Sequence, residues 1–192
     1  EPWHLPDVAG LEPIQSGYHG DAQSFAPYAR DPETLARFWV APGTPKMEHR
    51  IGGLEKADFT GEISYDPLNH AHMTEIRQEK IDRIANRLPP AKAFGPDSGE
   101  LLIVGFGGTY GALHQATQRL IAEGRSVAHL HLRYLSPLQS NVEEVLRRYR
   151  RVLVAELNRG QLRMLLRGRF LIDAQGLNKV QGQPFKVREV YE

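Results

Sequence analysis

From Leu101 to Asn158 the apolar positions change period several times, and each change marks an element. Leu101–Gly105 is a short continuous apolar run, the pattern of a strand buried on both faces. Gly105, Gly107, Gly108 and Gly111 then allow a tight turn. From about Gly111, Leu113, Ala116, Leu120 and Ile121 recur at helical spacing, and Gly124 suits the position just past a helix end. Val127–Leu132 follows period two. Asn141 stands where a helix cap is expected, with Glu143 and Glu144 in the first turn. Val142, Val145, Leu146 and Tyr149 form that helix's apolar face, and Arg147 to Arg151 lie at its C-terminal end. Val152–Leu157 reads as a third strand. This alternation predicts an α/β, Rossmann-like parallel sheet with flanking helices and right-handed crossovers.

On either side the pattern is less regular. Eleven of the 13 prolines precede residue 97. Residues 1–46 carry scattered aromatics (Trp3, Tyr18, Phe25, Tyr28, Phe38, Trp39) and hold no period for long. A short helix is expected over Asp31–Arg37, with Asp31 as cap and Pro32 in the first turn. The whole of residues 1–65 reads as an extended arm and loop whose rings, Trp3, Phe38 and Trp39 among them, bury against a surface outside this chain. Met47–Asp66 is a loop or hairpin-like excursion. Asp66-Pro67 starts a helix running to about Leu88, with Met73, Ile76, Ile81, Ile84 and Leu88 near one face, and Pro89-Pro90 stops it. Ala91–Glu100 is a linker. After a turn at Asn158–Gln161 comes a helix to about Arg169, with Leu162, Leu165 and Leu166 inward. A fourth strand lies within Phe170–Val180, and a last short helix begins at Gln183-Pro184. The expected division is residues 1–65 (arm and loop), 66–100 (helix and linker) and 101–192 (α/β domain).

Composition narrows the function classes. The 192 residues suffice for one good core plus an appendage. With 24 Lys and Arg against 23 Asp and Glu, charge points to neither nucleic acid nor membrane. No apolar run approaches the roughly 20 residues of a membrane span, and no signal peptide is visible. There is no cysteine, so disulfides and thiolate clusters are excluded from this chain. The chain begins with Glu1 and is expected to be a piece of a longer polypeptide.

Three groups of residues invite chemistry. The glycine turn GFGGTYG half-fits the dinucleotide fingerprint: Gly105 and Gly107 match, but Tyr110 stands at the third glycine, and no acid follows about 20 positions on. A tight strand-to-helix turn explains the same glycines. The carboxyl ends of the three strands bring together Gly107, Gly108, Thr109 and Tyr110, then His131 and Arg133, then Glu156, Asn158 and Gln161. This edge could bind a small anion or meet another subunit, or Glu156 could simply pair with Arg133. His129 and His131 share one strand face as an H-x-H metal pair would, but without an evident third ligand they read as packed or interface histidines. His70 and His72 face differently on their helix. The arginines from Arg147 to Arg169 form either a dock for an acidic protein or solvated, ion-paired helix faces. No catalytic residue and no metal site is assigned.

Read as ordered motifs, HRIGGLE, SYDPLNHAHM, LLIVGFGGTYGA, VAHLHLRYLSPL, VLVAELNRGQL and NKVQGQPF resemble the alpha subunit of 2-oxoglutarate:ferredoxin oxidoreductase. The resemblance runs over essentially the whole chain, including the EPWHLPD opening. It implies that the chain is the transketolase C-terminal-like α/β domain of that subunit plus the segment leading into it. It implies a parent enzyme that oxidatively decarboxylates a 2-oxo acid to an acyl-coenzyme A and reduces ferredoxin. Thiamine diphosphate, Mg2+ and an iron–sulfur cluster are implied for that enzyme, at sites outside this portion. The implied partners are the remaining alpha domains and the beta subunit, in a cytoplasmic heterodimer or dimer of heterodimers. The competing reading is a free-standing Rossmann-like module for a nucleotide or coenzyme A. A third is an assembly protein without redox chemistry.

Overall fold

The computed structural model describes residues 7–10 and 21–192, so the arm residue Trp3 lies outside the described residues. The chain forms two compact units, Glu1–Arg83 and Ile84–Glu192. The helix expected to share a segment with the linker belongs to the first.

In the first unit the chain is mostly irregular, tied by isolated bridges between Tyr28 and Phe59, Arg30 and Arg37, and Lys56 and Ile63. The short helix expected over Asp31–Arg37 is a single turn. The Asp31 carboxylate accepts from the Thr34 amide at 2.6 Å and the Glu33 amide at 3.1 Å, as a cap should. Leu35 then takes a left-handed conformation (φ 56°), and the turn cannot propagate. The helix α1, Pro67–Arg83, starts where Asp66-Pro67 predicts, with Asp66 accepting from the Leu68 amide at 2.9 Å. It tightens into a 3-10 turn over Ile84–Arg87 instead of continuing to Leu88. Of its apolar positions only Met73 is buried.

The second unit contains β1 (Ala93–Phe94), β2 (Gly99–Phe106), α2 (Tyr110–Ala122), β3 (Val127–Leu132), α3 (Val142–Arg147), β4 (Tyr149–Glu156), α4 (Gln161–Phe170), β5 (Ala174–Asn178) and α5 (Val187–Tyr191). The sheet order is β1-β3-β2-β4-β5. β3, β2, β4 and β5 pair in parallel, as alternation with helices predicts. The sheet is mixed because β1, inside the expected linker, pairs antiparallel with β3. Two residues carry too little pattern to be read as a strand. The chain leaves β2 toward β3, then crosses to β4 and β5 on the other side. The order therefore reverses beside β2, where α/β sheets open a crevice.

Each face of the sheet has its own core. Leu102, Val104, Leu130, Val154 and their neighbours pack with Val142, Val145 and Leu146 of α3 and Leu162 and Leu166 of α4. Ile103, Val127 and Ala155 pack with Leu113 and Ala116 of α2 and with Phe185 and Val190. Burial on both faces explains why β2 reads as an unbroken apolar run. Leu165, expected inward on α4, is partly exposed.

Two boundaries differ from expectation. Tyr149–Arg151 belong to β4, not to the end of α3, and Arg151 pairs in register with Leu101. Asn141 does not cap α3 with its side chain. Its amide bridges the chain to Ala91 instead, accepting from the Ala91 amide at 2.8 Å and donating to its carbonyl at 2.9 Å.

Candidate functional site

The β2–β4 half of the predicted edge is committed to the fold. Thr109 is buried and its hydroxyl donates to the Phe106 carbonyl at 2.9 Å. Glu156 is 0% exposed and does not pair with Arg133. It accepts from the first backbone amides of α4, Leu162 at 2.8 Å and Arg163 at 3.1 Å. Those amides have no partner within the helix, and a carboxylate at the positive helix end suits them. The Asn158 side chain accepts from the amides of Gly160 and Gln161, closing the loop, and Gln161 is simply the exposed first residue of α4.

The glycines divide by role. A Cβ on Gly105 would stand 2.3 Å from Leu113 and 2.6 Å from Thr109, so Gly105 allows α2 to close onto β2. Gly107 has φ 58°, a conformation that favours glycine, while Gly107, Gly108 and Gly111 face open space. This is a tight strand-to-helix turn. The acid a dinucleotide site needs is missing at the end of β3, where His131 and Arg133 stand.

His131 and Arg133 belong to a different constellation, against β3. His129 and His131 project from the α2-facing side of β3. Tyr110 and His114, one turn apart on α2, meet them there, and Phe94 closes the side from β1. Tyr110 lies 5.1 Å, ring centre to ring centre, from both His114 and His131, and 5.7 Å from His129. Phe94 lies 4.2 Å from His114. These rings line a cavity of about 580 Å3 whose wall includes Lys92, Arg133, Tyr134 and Gln139, and no carboxylate.

Three nitrogens in this cluster, Nδ1 of His114, Nε2 of His129 and Nδ1 of His131, are buried with no hydrogen-bond partner. Each such group costs about 1–3 kcal/mol, and most buried polar atoms are satisfied. Burial, then the neighbouring His131 and His114, pushes the His129 imidazole down to about 4. His131 is lowered too, by burial and by Arg133. Both rings are therefore neutral at pH 7, each with one N–H donor and one lone-pair nitrogen.

His129 and His131 lie 5.7 Å apart and His114 and His129 6.2 Å, ring centre to ring centre. Among the described residues, no three His, Asp or Glu side chains converge as a metal requires. His70 and His72 bond separately to Glu55 and Asp58, at 2.8 and 2.9 Å. An iron–sulfur cluster finds no thiolate in the cysteine-free sequence. The cysteine-free chain thus does not fit the cluster that the resemblance implies for the whole enzyme.

Half of the eight arginines in the basic stretch are ion-paired: Arg147 with Glu143, Arg148 with Glu144, Arg150 with Glu100 and Arg167 with Asp173. Sequence reasoning missed His114, Phe94 and Lys92 as cavity residues. Tyr110 and His114 at i and i+4 carry a usable signal, whereas Phe94 sits in a segment without periodicity.

Sheet order and helix placement define the second unit as an α/β domain with helices on both faces and a ring-lined cavity against β1 and β3. No protein-family model matches the chain. It is 49% identical over 191 residues to the 2-oxoglutarate oxidoreductase subunit KorA of Mycobacterium tuberculosis, covering 99% of this chain and 29% of that protein. It is 36% identical over 110 residues to subunit alpha of 2-oxoacid:ferredoxin oxidoreductase 1 of Aeropyrum pernix, covering 54% of this chain and 17% of that protein. Among solved structures it resembles the 2-oxoglutarate:ferredoxin oxidoreductase of Magnetococcus marinus, determined with 2-oxoglutarate, coenzyme A and succinyl-CoA bound. That match has a TM-score of 0.86 and 25% identity, over 97% of this chain and 33% of the other. The chain thus spans less than a third of the length of the curated relatives it matches. The resemblance read from the motifs holds: the chain corresponds to a portion of the alpha subunit of a 2-oxoacid:ferredoxin oxidoreductase. No helix among the described residues is long and apolar enough to cross a membrane.

Proposed function

We propose that this chain is the transketolase C-terminal-like domain, with its lead-in arm, of the alpha subunit of a cytoplasmic 2-oxoglutarate:ferredoxin oxidoreductase. The proposed functional division, an arm and loop over residues 1–65, a helix and linker over 66–100 and the α/β portion over 101–192, is laid over two compact units that divide after Arg83. The whole enzyme converts a 2-oxo acid and coenzyme A to an acyl-coenzyme A and carbon dioxide, passing two electrons to ferredoxin. It uses thiamine diphosphate, Mg2+ and an iron–sulfur cluster held by its other parts. The role of this portion is assembly. The observation that carries the reading is the match of nearly the entire chain, in sequence and in fold, to one portion of such a subunit.

The first unit supports an assembly role. Trp39 is 69% exposed and Ile51 73%, and with Phe38, Val40, Pro42 and Met47 they line an apolar groove. Large exposed apolar groups gathered in one concavity suit a protein contact better than solvent. The remaining alpha domains and the beta subunit are the proposed partners, in a heterodimer or a dimer of heterodimers.

The test mixes this chain with the remaining alpha domains and the beta subunit, reading association by size exclusion with light scattering. The same mixture is assayed for 2-oxoglutarate-dependent reduction of ferredoxin or a viologen dye. Association with a gain of activity is the expected result, and Trp39→Ser should weaken it about tenfold or more. A chain that stays monomeric in the mixture refutes the reading.

A further inference from the structure

We propose that the histidine-lined cavity beside β1 and β3 binds a small oxyanion, a carboxylate or phosphate group, held by Arg133 and by the ring N–H groups of His129 and His131, with Lys92 at the rim. This site lies within the second unit and stands whether or not the chain assembles into the oxidoreductase.

The sign of the charge follows from the lining. Arg133 and Lys92 line the cavity and make no ion pair or side-chain hydrogen bond among the described residues, so their charges are not neutralised by a described carboxylate of this chain. No Asp or Glu faces the cavity. A cation would meet two fixed positive charges, whereas an oxyanion meets two charges and several donors. Arg is well suited to planar carboxylate and to phosphate oxygens.

The second observation concerns His129. It is 2% exposed and its residue lines the cavity wall, and its Nε2, like the Nδ1 atoms of His114 and His131, is buried with no hydrogen-bond partner. A histidine placed only to fill a core has no need of three neighbouring orphaned nitrogens. The register also makes room. His131 pairs with Gly105 on β2, which brings no side chain beside it, and His129 pairs with Phe94 on the short β1. The volume, about 580 Å3, is that of a small-molecule site.

Binding should also take up protons. His129 is faced by His131 on its own strand and by His114 and Tyr110 from α2, and the cavity wall it shares carries Arg133, Tyr134 and Lys92. An anion among these groups favours the imidazolium form, so affinity should rise as pH falls from 8 to 6, by up to about tenfold per pH unit for each proton taken up.

The experiment titrates the chain, labelled with 15N-histidine, with inorganic phosphate and, separately, with succinate, following the ring resonances by NMR. Saturable shifts of the His129 and His131 signals with either anion are expected, and whichever binds tighter identifies the oxyanion. Arg133→Gln should weaken that binding at least tenfold and Arg133→Lys less. Arg188→Gln, on the remote α5, should leave it unchanged. The absence of saturable shifts at concentrations on the order of 10 mM, a free energy weaker than any specific small-anion site, overturns the proposal. So do equal shifts with chloride, or unchanged affinity in Arg133→Gln.

Discussion

Glu156 and His129 are both polar, both fully inside and both on central strands, yet their circumstances are opposite. Glu156 is satisfied by two backbone amides of α4. Removing it leaves those amides buried at the positive end of the helix. Glu156→Ala is expected to cost about 3 kcal/mol in urea denaturation. Glu156→Gln should cost less, because its amide oxygen still accepts one bond. His129 has an unpartnered nitrogen and a pKa pushed down to about 4. Above the unfolded value near 6.5, both states are neutral and the shift costs nothing. Between about 6.5 and 4 the unfolded ring takes up a proton that the folded ring refuses, so stability falls with pH across that window. The ceiling is about 3 kcal/mol. Urea midpoints at pH 7 and 4.5, in buffers free of phosphate and carboxylates, should diverge less in His129→Gln than in the unaltered chain. Neither state of affairs is legible in the sequence. Glu156 ends an apolar run and reads equally as an ion-pair partner, and His129 reads as a packed or interface histidine, with no sign of which of its nitrogens finds a partner.

At the scale of elements, periodicity located β2, α2, β3 and α4 and missed the joints. The basic run after Leu146 looks like the end of a helix because helices favour cations there. The backbone instead leaves α3 at Arg147 and enters β4 at Tyr149, since pairing with β2 offers these residues hydrogen bonds and buries Tyr149. Asn141 was legible as a cap by type alone. Its partner is 50 residues away, and only the folded chain brings Ala91 within reach. Asn141→Ala should therefore cost about 1–2 kcal/mol, and the Ala91 amide should lose most of its protection in hydrogen exchange. If the side chain served as a local cap, protection would fall at the first turn of α3 instead.

The whole molecule divides at Arg83. The second unit has a five-stranded sheet with a closed core on each face. A fragment of residues 84–192 is expected to unfold cooperatively by itself, with a single urea transition matched by circular dichroism and Tyr fluorescence. A non-cooperative loss of signal would mean that the α/β unit depends on the first one. Among the described residues of the first unit, three isolated bridges and one α-helix with a single buried residue leave much apolar surface in water. Exposed rings such as Trp39 are the basis on which an assembly role is proposed for this portion.

By itself the sequence determined the α/β class, the order of the main strands and helices, the glycine turn, the lack of thiolate chemistry and the kinship with one portion of an alpha subunit. These are local or compositional properties, written in spacings of two to four residues, in residue counts and in ordered motifs. The tertiary structure alone decided which polar groups are spent on the fold and which are left over. Glu156, Thr109 and Asn158 find backbone partners only once strands and helix ends meet. His114, His129, His131 and Arg133 form one cavity only because α2 lies over β3 and two residues near Ala93 add an edge strand. Such groupings depend on contacts between segments distant in the chain, which no period along the sequence records.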